Sequence, residues 1–105
     1  MYIYRVVLTI DKDAESEWLD YMQHKHIAEV LATGYFTSCS IRKLWNENEE
    51  AASTFNIEYA APSVSACNEY VEHSAPALRA DLEAHFGGRY TAQRSIYEII
   101  SETKG

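Results

Sequence analysis

The chain has no basic stripe, no long apolar run, few cysteines and few prolines, and each shortage removes a class of function. Nine Lys and Arg stand against sixteen Asp and Glu, a net charge of −7 over 105 residues. Proteins that neutralise nucleic-acid phosphates need clustered cations; here they are scattered singly or in pairs such as Arg42-Lys43. A nucleic-acid partner is not expected. No apolar run approaches the roughly 18 residues of a membrane span, and the N-terminus opens on a strand-like alternation rather than on a basic segment leading an apolar one. Neither a span nor a signal peptide is expected. Cys39 and Cys67 lie far apart, in no metal-ligand spacing. They fit buried thiols in a reducing, cytoplasmic compartment better than a disulfide framework. G-x-G-x-x-G, the P-loop, G-x-S-x-G, H-x-x-x-H and C-x-x-C are all missing, so neither a cofactor nor a metal is expected.

What is present is a regular alternation of periods. Residues 2–10 alternate, with Tyr2, Tyr4, Val6, Leu8 and Ile10 on one side and Ile3, Arg5, Val7 and Thr9 on the other, a strand pattern. Asp13 is placed to cap a helix, with Glu15 and Glu17 in its first turn, where negative charge suits the dipole. Trp18, Leu19, Met22 and His26 share a helical face. Ile27, Val30 and Leu31 do not continue it smoothly, which predicts a bend near His26-Ile27 and a second piece ending at Gly34. A second strand is predicted over Tyr35–Trp45, with Tyr35, Cys39, Ile41 and Trp45 on one side and Phe36, Ser38, Ser40, Arg42 and Leu44 on the other. A polar hairpin tip follows at 46–50, and a third strand at 53–61.

Ser63 is the expected cap of the next helix, whose inner face would carry Val64, Cys67, Tyr70 and Val71. Pro76 cannot stand inside a straight helix but suits a first turn, which divides this segment near His73 and Ala75. Leu78, Leu82 and Phe86 repeat at fourfold spacing as a core stripe, and Gly87-Gly88 stops the helix. A fourth strand is predicted over Arg89–Ile100, with frayed residues after it.

The order β-α-β-β-α-β over a single domain, 1–105, predicts the split βαβ or ferredoxin-like arrangement: a four-stranded antiparallel sheet with both helical segments on one face. The opposite face is expected to carry Ile3, Val7, Phe36, Leu44, Thr54 and Ala60 among Arg5, Arg42 and Glu58. A half-apolar face with isolated charges of both signs reads as an interface. Two such sheets packed face to face give a homodimeric α+β barrel.

The segments Glu29-Val30-Leu31-Ala32-Thr33-Gly34-Tyr35-Phe36-Thr37-Ser38, Ala75-Pro76-Ala77-Leu78-Arg79, Phe86-Gly87-Gly88 and Arg94-Ser95 followed by Glu98, with Trp18, Met22 and His26-Ile27 before them, carry a resemblance. The chain resembles an uncharacterised family of small bacterial proteins, a domain of unknown function in the dimeric α+β barrel group that also holds antibiotic-biosynthesis-type monooxygenases. The resemblance covers nearly the whole chain and implies the dimeric barrel of ferredoxin-like subunits; it transfers no reaction. The chain departs from the family pattern at Ala28, where that pattern has proline, and at Gln93, where it has an aromatic residue.

His26 is the candidate acid–base group, an imidazole among aromatics on the inward helical face. The plainer reading is a core histidine bonded to a backbone carbonyl at the bend. Trp18, Met22, Tyr59 and Tyr70 are the candidate ligand-binding residues, with Tyr4 and Phe55 nearby. Eight Tyr, three Phe and two Trp make either a pocket with phenolic handles or an aromatic core. Arg42, Glu58 and Arg94 read as ion pairs of the dimer rather than as an anion site. The function that best fits is binding of a small molecule between helices and sheet, with cofactor-independent catalysis as its stronger form. The rival is a non-catalytic interaction or structural dimer module.

Overall fold

The computed structural model describes residues 1–46 and 51–105. Strand β1 (Tyr2–Asp11) leads through a short 3-10 turn, Lys12–Ala14, into α1 (Glu15–Tyr21), a π-turn at Met22–His26 and α2 (Ile27–Ala32). Then come β2 (Ser38–Lys43), β3 (Ala52–Ala61), α3 (Val64–His73), α4 (Ala75–Phe86) and β4 (Tyr90–Glu98). The sheet order is β2-β3-β1-β4, antiparallel throughout. This is the ferredoxin-like α+β arrangement with helices on one face. The molecule is only 21 Å thick along its shortest axis, as two layers stacked ~10 Å apart require.

Period two sorts the sheet. Tyr4, Leu8 and Ile10 of β1 and Phe55, Ile57 and Tyr59 of β3 are buried under the helices. Their neighbours Ile3, Arg5 and Val7, with Thr54, Asn56, Glu58 and Ala60, form the other face and are only half-buried. There Glu58 pairs with Arg42 (2.5 Å) and lies 3.2 Å from Arg5 Nε, and the Arg5 guanidinium sits 5.5 Å from the Tyr97 ring centre.

The bend expected near His26-Ile27 is the π-turn. Trp18, Met22, His26 and Val30 are spaced by four and all buried. Four residues overshoot a 3.6-residue turn by about 40°, so such a series drifts off the core on a regular helix. A wider turn, closed by the hydrogen bond from Ile27 N–H to Met22 O, takes up that drift. Ser63 caps α3 by accepting from Ala66 N–H (3.1 Å). The break before Pro76 falls at Ser74, and Pro76 lies in the first turn of α4.

Several expected details differ. β2 is Ser38–Lys43 rather than Tyr35–Trp45. Residues 35–37 therefore escape the strand's alternation, and Phe36, expected on the outer face, is buried against Tyr59 and Tyr70 at centroid distances of 5.2 and 4.9 Å. Trp45 is 80% exposed. β4 ends at Glu98, not Ile100. Asp13 lies inside the 3-10 turn, and α1 has no side-chain cap. Val64 and Val71, expected inward, are exposed, while Cys67 and Tyr70 carry the α3 contact. Most of the predicted hairpin tip, 47–50, lies outside the described residues. Among the described residues no helix is long and apolar enough to cross a membrane.

Candidate functional site

The helical layer does not cover the sheet evenly. On β1, Tyr4 and Leu8 are 3% and 1% exposed, yet Val6 between them, on the same face, is only half-buried. Its neighbour across the ladder on β4 is Arg94. The helix-facing row of β4 runs Tyr90, Ala92, Arg94, Ile96, the first three half-buried and Ile96 exposed. The layer thus leaves a gap over the β1–β4 seam, and a cavity of about 30 Å³ lies beneath it. That is room for about two waters.

Each element contributes to this cavity for a local reason. The sheet supplies Tyr4, Val6 and Leu8 from β1, Ile57 and Tyr59 from β3, and Arg94 from β4. The π-turn brings Met22 and His26 down together, α3 adds Tyr70, and α4 adds Arg79 and Leu82. Met22, His26, Tyr59 and Tyr70, four of the sequence candidates, thus meet at one site. Trp18 does not line it: the indole is fully buried one turn earlier, 4.8 Å from the Phe55 ring centre. Arg79 was not foreseen, and Arg94 faces the cavity instead of the outer face of Arg42 and Glu58.

His26 is 8% exposed, and its Nδ1 is buried without a hydrogen-bond partner. The reading of His26 as a histidine tied to a backbone carbonyl does not describe that nitrogen. Burial lowers its pKa; Glu29 and Asp81 pull upward, Arg94 and Lys25 downward, and the net shift is down. The ring is neutral at pH 7. Beside it lies a polar clamp between the helices: the Tyr21 hydroxyl and Lys25 Nζ both donate to Asp81 of α4, at 2.5 and 2.7 Å. Tyr21 stands 5.8 Å from His26, ring centre to ring centre.

The phenols are held protonated. Burial lifts Tyr59 well above the usual tyrosine range, and lifts Tyr70 to about 12 against the downward pull of Arg79 and Arg94. Arg79 Nη2 donates to the Tyr4 hydroxyl at 3.0 Å. The site therefore offers a neutral imidazole, protonated phenols and two guanidinium groups. Among the described residues no group of three or more His, Cys, Asp or Glu side chains could hold a metal ion.

The sequence pattern of a family described as Domain of unknown function (DUF4286) matches residues 1–100. No curated protein matches the chain in sequence. Similar solved structures include a dimeric ferredoxin-like protein from an uncultured marine organism, 16% identical over the whole of both chains with a TM-score of 0.65. A MhuD mutant with two manganese protoporphyrin IX bound per active site is 14% identical, again over the whole of both chains, with a TM-score of 0.73. SnoaB, a cofactor-independent oxygenase from Streptomyces nogalater, is 10% identical over 96% of this chain and 95% of its own, with a TM-score of 0.63. At these identities the likeness is one of fold.

Proposed function

The chain belongs to the DUF4286 family, whose description assigns no activity, and from that premise we propose that it binds a small molecule between helices and sheet, as a homodimer. The observation that carries this is the cavity itself, whose wall brings the buried His26 together with Tyr59, Tyr70 and two arginines. Most buried polar atoms of a folded core are hydrogen-bonded; His26 Nδ1 is not, and neither is Trp18 Nε1 on α1. In the catalytic form of the reading His26 is the base: kept neutral by burial, it can accept a proton from a ligand held against it. The free thiols of Cys39 and Cys67 fit a cytoplasmic setting.

The cavity is smaller than most ligands, so a ligand must displace something. Met22 is unbranched and adaptable, and Val6 and Arg94 at the gap are already partly exposed. The porphyrin of the MhuD structure does not fit a space of about 30 Å³, and no step is assigned to haem. The small cavity equally favours the rival reading, a non-catalytic interaction dimer. A thermal-shift screen of small metabolites, run on wild type and His26→Ala, separates the two. A compound that raises Tm in wild type and not in His26→Ala supports the site; a screen without any such compound supports the interaction module.

The dimer reading rests on the outer sheet face, where Ile3, Val7 and Ala60 surround the Arg5–Glu58–Arg42 cluster. Leu44 and Trp45 beside it are 64% and 80% exposed. A second copy would cover this apolar surface. Sedimentation of a lone protomer at micromolar concentration would remove that reading.

A further inference from the structure

The charge around the cavity runs against the charge of the chain. The protein carries −7, yet none of the eleven residues lining the cavity is Asp or Glu and two are Arg. Among the described residues neither arginine is paired with a carboxylate. Glu83 stands one helical turn beyond Arg79 on α4, the place for an i,i+4 ion pair, but Glu83 is engaged by the Tyr90 hydroxyl at 2.8 Å. Arg79 is turned instead to the Tyr4 hydroxyl. Arg94 has Ala92 and Ile96 beside it on its strand face and Val6 across the ladder, all apolar. His26 and Tyr70, the groups of the site that feel its charge, are uncharged at neutral pH for the reasons given above.

Taking the cavity as a ligand site, as proposed above, we infer that it receives the carboxylate of a small organic acid, held by Arg94 and Arg79, with the acid's apolar body against Val6, Met22 and the tyrosines. A guanidinium presents a planar fork of donors that matches a carboxylate and holds it in a fixed orientation. The space suits this head group: its two oxygens replace about two waters, whereas a phosphate needs more room. His26, 8% exposed, lines the same wall with an imidazole. In its donor tautomer it completes the anion site. As an acceptor it meets a hydroxyl on the carbon next to the carboxylate, which places a 2-hydroxy acid within its reach.

The test uses matched probes on the full chain at neutral pH: acetate with acetamide, benzoate with benzamide, naphthoate with naphthamide, and inorganic phosphate, each by titration calorimetry. At least one acid should bind about tenfold or more tightly than its amide, the usual worth of a charge-assisted hydrogen bond. Arg94→Gln should erase that preference; Arg94→Lys, which keeps the charge but not the fork, should retain part of it. Arg79→Gln is a second, independent variant, and far-ultraviolet circular dichroism certifies that each is folded. Equal binding of acid and amide overturns the carboxylate inference and leaves the cavity reading standing. An acid preference that survives both Arg94→Gln and Arg79→Gln overturns the assignment to these residues. Phosphate binding more tightly than every acid overturns the choice of head group. If no probe binds at all, the cavity reading falls and this inference with it.

Discussion

Replacing His26 by leucine should make the protein more stable. A buried nitrogen without a hydrogen-bond partner costs about 1–3 kcal/mol, and leucine fills a similar volume with no polar atom and good helix propensity. Some of the gain will be lost to imperfect packing, so about 1 kcal/mol is expected. For a domain of this size that is a rise in Tm of about 4–8 °C. The pH dependence supplies a second signature. His26 has a folded pKa below its unfolded value of about 6.5. Between those two values the unfolded chain binds more protons than the folded one, so wild-type stability falls as pH drops below about 6.5 and stops falling once the folded pKa is passed. Each pKa unit of that gap costs about 1.4 kcal/mol. The groups facing the imidazole are Glu29 and Asp81, which limit the shift, and Arg94 and Lys25, which add to it. His26→Leu should therefore outlast wild type by more at acidic pH than at pH 8. Differential scanning calorimetry at fixed protein concentration measures both effects. A variant less stable than wild type at pH 8, or a difference that does not grow toward acid, would refute the picture of an unsatisfied, neutral imidazole.

Trp18→Ala, which empties a fully buried site against Phe55, should cost about 3–5 kcal/mol by urea denaturation. Trp45→Phe should leave an emission that iodide barely quenches, since the remaining indole of Trp18 is buried; strong quenching would place Trp18 at the surface. Ser63→Ala removes the α3 cap and should cost about 1 kcal/mol, read as a fall in Tm of a few degrees. Val7→Asp puts a charge at the middle of the outer sheet face; sedimentation should find monomer, while the fold, by circular dichroism, stays intact.

The fold was readable because its strongest signals are local. Alternation in β1 and β3, the cap at Ser63 and the interruption before Pro76 all report on single elements, and each stands where expected. The site was only half readable. Met22 and His26 could be placed on one face, but the turn that keeps them there depends on a backbone hydrogen bond between residues five apart. Arg79 was missed because Leu78, Leu82 and Phe86 looked like the whole stripe. The spacing Ala75, Arg79, Leu82, Phe86 is the better helical series, and three of its members are buried, so the signal was available. Arg94 was grouped with Arg42 and Glu58 because strand parity does not reveal which side the helices cover. Phe36 was misplaced because alternation was carried beyond the last residue that pairs in the ladder.

The alternation of β1 sets two neighbours to opposite tasks. Arg5 points to the side where a second subunit would dock, and Val6 to the cavity floor. On the proposed reading a docked subunit would leave the cavity side free, so ligand exchange would not await separation of the subunits. The same economy makes the strand intolerant of insertions: one extra residue ahead of Arg5 would move its guanidinium onto the cavity floor and away from Glu58, spoiling both surfaces in a single step.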